Sequence, residues 1–287
     1  MTDMSERRQL LNLAYRMTGS LADAEDVVQE TYARWYAMTP AQRDAVAAPG
    51  AWMTTVASRV CLDLLGSARA RRERYVGEWI PEPLPSFAVA APDPADRVTL
   101  DESVTMAFLV VLDAMTPAER VVFVLHDVFG YPFAEVAEIV GRTPVACRKL
   151  ASSARKRVRL SRPEATPAAE QAGVVRGFRQ AWEARDIEAL VGLLDPDATI
   201  IADGGGLADT APHPLRGREE IAAYLTMLFH SLTGSQRVVE RPVNGRPGLV
   251  IEEAGVTVTV MAFEVAAGRV RHVWAVRNPE KLRAWTA

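Results

Sequence analysis

The run MTPAERVVFVLHDVFGYPFAEVAEIVGRTPVACRKLASSARKRVR, Met115 to Arg159, leaves the chain little conformational choice. Thr116 suits an N-cap, Pro117 the first helical position, and Glu119 completes a capping box, so a helix must start there. A second short helix, Pro132 to Val140, stops at Gly141. Thr143 and Pro144 then open a third helix almost at once, and the tight connection between them is that of a helix-turn-helix.

On a helical wheel of the third helix, Cys147, Leu150, Ala151, Ala154 and Val158 share one side. Arg148, Ser152, Arg155, Lys156 and Arg159 fall within an arc of the other, with Lys149 at its edge. From Arg142 to Arg162 there are eight Arg or Lys and no acid, although the whole chain carries a net charge of −3. A recognition helix needs this division: apolar residues to seat it, and basic and hydroxyl residues to reach phosphates and base edges. A solvated amphipathic helix would show the basic face alone; the cap, the turn and the basic face together point to DNA. The candidate contacts are Arg142, Thr143, Arg148, Lys149, Ser152, Ser153, Arg155, Lys156 and Arg159.

The first segment, Arg7 to Ala70, is also helical in pattern. In GSLADAEDVVQETYARWY, Ser20 and Asp23 have capping-box spacing, and Ala24, Val27, Val28, Thr31 and Trp35 follow one side. Asp26, Gln29, Glu30 and Arg34 are left on other parts of the surface. Pro40 and Pro49 read as interruptions, after which a helix resumes and becomes steadily more basic through Arg59, Arg69, Arg71, Arg72 and Arg74. Trp52 lies close to these arginines, where an aromatic ring can stack on an unpaired base or serve equally well as core.

Between the helical segments, Gly77 to Pro94 contains Pro81, Pro83, Pro85, Pro92 and Pro94, which exclude a continuous helix. This linker nevertheless carries Trp79, Ile80 and Leu84, and exposed apolar surface favours burial at roughly 25 cal/mol per Å². The three closely spaced prolines hold those side chains on an extended backbone, which lowers the entropy lost on docking. The expected dock is the C-terminal domain near Asp203 and Asn278; the plainer alternative is a semi-rigid spacer.

Beyond Pro163 to Pro167 the pattern changes. Two helices, a strand and a third helix precede the strand-like runs SQRVVERPV, GLVIEE, VTVTVMAFEV and RVRHVWAVRN, separated by glycine-containing turns. Such an order implies an α+β domain with one curved sheet covered by helices. At 287 residues the chain suits two or three domains. These are expected at 1–75 (helical), 76–100 (linker), 101–162 (helix-turn-helix) and 168–287 (α+β), giving a multidomain chain of two all-α domains followed by an α+β domain.

AYRMTGSLADAEDVVQETYARWY resembles region two of the extracytoplasmic-function (ECF) sigma factors, and Met115 to Arg159 resembles their region four. WIPEPL at Trp79 to Leu84, DGGG at Asp203 to Gly206, and NPEKL at Asn278 to Leu282 are similar to the marks of the subgroup with a C-terminal SnoaL-like, cone-shaped extension. The resemblance implies core RNA polymerase, through its β′ clamp and β subunit, and promoter DNA as partners. Asp26, Gln29, Glu30 and Arg34 would meet the polymerase. Trp52, Arg59, Arg69, Arg71 and Arg72 would serve the minus-ten element, with Ser58 standing where an Asn is often found, and the Arg148 to Arg159 helix would read the minus-thirty-five element. Regulation within the chain would run through Trp79, Ile80, Pro81, Glu82, Pro83 and Leu84 against Asp203, Gly204, Gly205, Gly206, Asn278, Pro279 and Lys281.

Rival readings are a polymerase-independent helix-turn-helix regulator and a SnoaL-like enzyme using Asp203, His213 or His272 as a base. No spacing fixes such a base beside an oxyanion donor, so binding without catalysis is expected, together with a cone pocket for an unidentified small ligand. The glycines of DGGG are not followed by Gly-Lys-Ser/Thr and read as a turn or contact rather than a phosphate loop. Cys61 and Cys147, the only cysteines, fall in helical patterns and read as buried thiols, so neither metal nor cofactor is expected. No apolar run approaches the roughly 20 residues of a membrane span, and MTDMSERRQL lacks the core of a secretory signal, so a cytoplasmic protein without a membrane partner is expected.

Overall fold

A computed structural model describes residues 2–72, 75–85, 104–161, 166–231 and 236–285. They form two compact units: residues 2–72 with 108–161, and residues 75–85 with 104–107, 166–231 and 236–285. Expectations for Arg74 and for linker residues 86–100 lie outside the described residues, as does most of the expected 163–167 boundary.

The first unit contains α1 (Thr2–Thr18), α2 (Leu21–Ala37), α3 (Pro40–Asp44), α4 (Pro49–Arg72), most of α5 (Met106–Asp113), α6 (Pro117–Phe123), α7 (Phe133–Val140) and α8 (Pro144–Ser161). Ser20 caps α2 by accepting from the Asp23 N–H. Pro40 and Pro49 do not merely interrupt helix, as the sequence reading had it: each begins one. At the first helical position the N–H that proline lacks would have had no partner anyway, and its fixed φ suits the helix. Thr39 and Gln42 complete a capping box ahead of α3, and Thr116 and Glu119 one ahead of α6. A single π-helical turn, Val124–Val128, extends α6. Gly141 ends α7 at φ 64°, a conformation open to glycine at little cost.

α1, α2 and α4 bury Leu13, Met17, Val27, Val28, Ala57 and Cys61 against one another. The helix-turn-helix packs against this bundle. Buried Arg120 donates to the Met17 carbonyl at the end of α1 (2.9 Å) and to the backbone and side chain of Asp113 (2.8 and 2.9 Å). Charge at the carbonyl end of a helix is favourable, and a guanidinium can satisfy several acceptors at once.

The second unit holds α9 (Ala168–Glu183), α10 (Ile187–Leu193), β1 (Leu194–Asp203), β2 (Leu215–Arg216), α11 (Arg218–Ser231), β3 (Gln236–Val243), β4 (Arg246–Glu253), β5 (Val256–Ala266) and β6 (Arg269–Val276). The sheet order is β2-β1-β6-β5-β4-β3. The four late strands form the expected antiparallel meander, and β1 joins its edge parallel to β6. Helices cover one face through Val175, Phe178, Trp182 and Leu225, set against Ile251 and Met261. The buried Trp182 indole is satisfied by the Leu225 carbonyl (2.8 Å). Alternation along β1 places Ala198, Ile200 and Ala202 under the helices and Thr199, Ile201 and Asp203 on the other face.

Candidate functional site

Cys147, Ala151 and Ala154 seat α8 in the first unit, and burial pushes both the Cys147 and Cys61 thiols upward in pKa. Arg142, Thr143, Arg148, Lys149, Ser152, Ser153, Arg155, Lys156 and Arg159 are exposed. Several also hold the motif together. The Thr143 hydroxyl accepts the Ala146 N–H at the start of α8 (3.2 Å), Ser153 donates to Glu119 (2.6 Å), and Arg155 pairs with Asp127. Arg148 lies over the Phe133 ring, 5.6 Å from its centroid. Lys149, Ser152, Lys156 and Arg159 complete the exposed basic and hydroxyl face.

On α2, Asp26, Gln29, Glu30 and Arg34 form one exposed stripe opposite Ala24, Val27, Val28 and Thr31, and Arg34 pairs with Glu30 at 2.9 Å. Trp52 is half-buried against Trp35, with ring centroids 5.2 Å apart. Arg59 donates to the Glu138 carbonyl on α7 (3.1 Å), so this candidate DNA contact is engaged within the unit. Ser58 is completely buried in the bundle interior and makes no exposed contact. Arg69, Arg71 and Arg72 lie on the last turns of α4, and their side chains fall outside the described part.

The most elaborate cluster joins the 75–85 segment to the sheet. Asp203, completely buried at the end of β1, accepts from the Tyr75 hydroxyl (2.6 Å), the Ile80 N–H (3.0 Å) and Lys281 Nζ (2.6 Å). Lys281 Nζ also donates to the Ile80 carbonyl and sits 4.2 Å from the centroid of the Trp79 ring. Both backbone groups of Ile80 are thus taken by one ion pair. Asn278 Nδ2 donates to the Tyr75 hydroxyl (2.9 Å), while its Oδ1 caps the short 3₁₀ turn Pro279–Lys281 that presents the lysine. Burial first, then the hydrogen bond to Asp203 and its charge, raise the Tyr75 phenol above its ordinary pKa.

Four residues further along the segment the capture is repeated. The Leu84 N–H donates to Asn244 Oδ1 (3.1 Å), the Asn244 N–H donates to the Leu84 carbonyl (2.8 Å), and Trp285 Nε1 donates to the Pro83 carbonyl (2.8 Å). Pro81, Pro83 and Pro85 have no N–H, which lowers the cost of burying this backbone. Ile80, Pro81, Glu82, Pro83, Leu84 and Pro85 are all buried. Burying Ile80 and Leu84 stabilises by about 1.5–3 kcal/mol each. Trp79, expected as an anchor beside them, is only half-buried and works through its π face on Lys281 instead.

DGGG forms a turn in which the Gly204 carbonyl accepts the N–H groups of Leu207 and Ala208. Gly205 has φ 62°, and a Cβ there would stand 2.3 Å from Asn278 Nδ2. A Cβ on Gly206 would meet Val76 at 3.0 Å, so these glycines let the segment approach closely. Pro279 is exposed and opens the 3₁₀ turn.

Tyr75, Asn244 and Trp285 were not picked out by the sequence reading. Asn244-Gly245 is a hairpin turn signal, with Asn244 at φ 49°, and that signal explains the backbone without revealing the buried amide's use. Nothing local marks Tyr75 or Trp285.

Under the helices the cone holds a partly open cavity of about 130 Å³. Asp203, His213 and His272, the candidate bases, are not among its lining residues. Asp203 belongs to the opposite face and His213 is exposed. His272 lies between Thr199 Oγ1 (2.6 Å) and Glu264 (3.4 Å), with its pKa lowered by burial and by Arg271. No cluster of His, Cys, Asp or Glu among the described residues has the arrangement of a metal site, and no described helix is long and apolar enough to cross a membrane.

The architecture is that of two helical modules, the second a helix-turn-helix with an exposed basic face, followed by an α+β cone that holds residues 75–85. Known families agree: the sigma-70 region 2 model matches residues 4–71, the sigma-70 region 4 model 105–158, and the SnoaL-like domain model 175–283. The chain is 39% identical to the ECF RNA polymerase sigma factor SigJ of Mycobacterium tuberculosis, over 96% of this chain and 90% of that one. It is 34% identical to the probable ECF RNA polymerase sigma factor SigI of the same species, over 97% and 92%. The crystal structure of M. tuberculosis SigJ superposes with a TM-score of 0.76 at 37% identity, covering 97% of this chain and 96% of that one. The chain belongs to the ECF RNA polymerase sigma factors.

Proposed function

We propose that the protein binds core RNA polymerase and promoter DNA in the cytoplasm, and that its cone regulates this engagement by holding the 75–85 segment. Domains at 1–75, 101–162 and 168–287, joined by a linker at 76–100, fit this division of labour. Asp26, Gln29, Glu30 and Arg34 meet the β′ clamp, with the β subunit as a further contact. Trp52, Arg59, Arg69, Arg71 and Arg72 serve the minus-ten element. Arg142, Thr143, Arg148, Lys149, Ser152, Ser153, Arg155, Lys156 and Arg159 serve the minus-thirty-five element.

The observation that carries the regulatory part is the double capture of the segment, at Ile80 by Asp203 and Lys281 and at Leu84 by Asn244. Trp79, Pro81, Glu82 and Pro83 belong to the held strip, and Gly204, Gly205, Gly206, Asn278 and Pro279 shape its seat. A second observation supports a change of state on promoters. α4 and α7 touch through Arg59 and Glu138, whereas on this reading the two modules engage separate promoter elements. The helical modules therefore part to engage both elements, and the strip between them sets how freely they do so.

Promoter-dependent transcription with purified core polymerase tests this, comparing the full chain with one ending near Pro163. Changed output is expected on removal of the cone. Equal output would remove the regulatory claim, and failure of the full chain to associate with core polymerase would remove the larger one. Tight operator binding without polymerase would instead favour the stand-alone regulator.

A further inference from the structure

The cone cavity has a specific chemical character. Ala202 and Ala275 lie side by side across β1 and β6, and their short side chains leave the space open beneath Trp182 and Leu225. Its volume, about 130 Å³, is near the roughly 150 Å³ of an apolar cavity that takes up benzene. Among the lining residues there is one cation, Arg277, and neither Asp nor Glu. The Arg277 guanidinium donates to the Asp209 carbonyl, a neutral acceptor. Gln236 also lines the space, and its buried Oε1 has no hydrogen-bond partner among the described residues. A buried acceptor without a donor is costly, and a site built to pair such a group discriminates strongly for a ligand that completes it.

We propose that this cavity binds a carboxylic acid of about benzoate size that carries a hydrogen-bond donor, its carboxylate on Arg277 and its donor on Gln236 Oε1. Trp182, Ile251 and Met261 supply the apolar walls, and the half-buried Arg277 supplies charge complementarity at the edge of the space. The site also has a mechanical connection to the held segment. Ala202 and Arg277 line the cavity, while their chain neighbours Asp203 and Asn278 hold Tyr75 and Ile80. The Asp203 carbonyl accepts the N–H groups of both Arg277 and Asn278, so an acid drawn onto Arg277 acts on the strand ends that carry the dock. Binding stands apart from the regulatory reading; only this coupling rests on it.

The test uses the full-length protein, titrated calorimetrically with 4-hydroxybenzoate, benzoate and phenol, while hydrogen exchange follows the Ile80 amide. Saturable binding is expected in the order 4-hydroxybenzoate, benzoate, phenol. Arg277→Met should weaken both acids by roughly tenfold or more while leaving phenol unchanged. Gln236→Leu should abolish the preference for the hydroxyl-bearing acid, and this readout stands even if the arginine variant folds poorly. Absence of saturable binding by any of the three probes overturns the proposal. So does acid affinity that is equal in Arg277→Met and wild type, or that survives filling of the cavity by Ala275→Leu in a folded variant. Acid binding with unchanged Ile80 exchange keeps the site and removes the coupling to the dock.

Discussion

Replacing Asp203 by Ala should release the front of the 75–85 segment while leaving its rear attached. The carboxylate accepts three hydrogen bonds, and its removal takes the anionic partner from Lys281 Nζ, which is largely enclosed at 11% side-chain exposure and keeps its bond to the Ile80 carbonyl. Breaking a buried pair from one side costs about 3–5 kcal/mol, because the surviving charge remains desolvated. That exceeds a net hold of about 1–3 kcal/mol on the segment, so at about 1.4 kcal/mol per tenfold the Ile80 amide should lose all the protection the hold provides, roughly five- to 150-fold. Amide exchange by NMR in the full-length protein reads this directly. Leu84, bonded to Asn244 rather than to Asp203, and the strand amides of β4 and β5 should lose much less. Unchanged Ile80 exchange would refute the assignment of Asp203 as the clamp. An equal loss at Ile80, Leu84 and the central strands would show that the carboxylate maintains the domain as a whole.

Gly205→Ala should weaken the same dock without removing a polar group, since the added Cβ meets Asn278 Nδ2 in a left-handed backbone; Tyr75 fluorescence anisotropy and Ile80 exchange should both report loosening. Arg148→Ala and Lys149→Ala should each lower promoter affinity and reduce the salt slope of binding by about one, measured by titration across salt concentrations. Burial pushes the Glu264 carboxyl up to about 7, with Arg271 opposing. Its folded pKa exceeds the unfolded value, so the folded state holds the extra proton between about pH 4.5 and 7, and stability from this group is lost as pH rises through that window. The neighbouring His272, whose pKa is lowered, works in the opposite sense below 6.5. Glu264→Gln should therefore recover about 1–3 kcal/mol relative to wild type at pH 8 and little at pH 5, by denaturant unfolding at each pH. A pH-independent difference would refute the assignment.

Local rules made most of the helical part legible. Thr116, Pro117, Glu119 and Gly141 act through contacts within a few residues, so their meaning is present in the sequence and reappears as a capping box and a left-handed helix end. Pro40 and Pro49 were harder, because the same missing N–H breaks a helix from inside and begins one from its first position; only the fold says which. In the α+β part, alternation revealed the four late strands but not that β1 would lie parallel to β6, a pairing between residues some seventy positions apart. The dock shows the same limit. WIPEPL, DGGG and NPEKL stood out by resemblance, whereas Tyr75, Asn244 and Trp285 meet their partners across 128 to 203 positions and carry no local mark.

On the regulatory reading proposed above, the held segment needs a contact that is firm yet reversible. In an ordinary sheet edge each residue offers an N–H and a carbonyl, and adding a strand gains bonds all along its length. Here prolines at 81, 83 and 85 remove the donors along one edge of the strip, so no antiparallel ladder can run along that edge; in the structure it forms one isolated bridge, Pro85 with Val243. Its attachment depends on side chains at two places, Asp203 with Lys281 and Asn244. The apolar gain at Ile80 and Leu84 is offset by the ordering of the strip, which the prolines reduce but do not abolish. A net bias of about 1–3 kcal/mol would shift the population of the held state five- to 150-fold, enough to govern how the helical modules part and small enough for polymerase and promoter contacts to overcome.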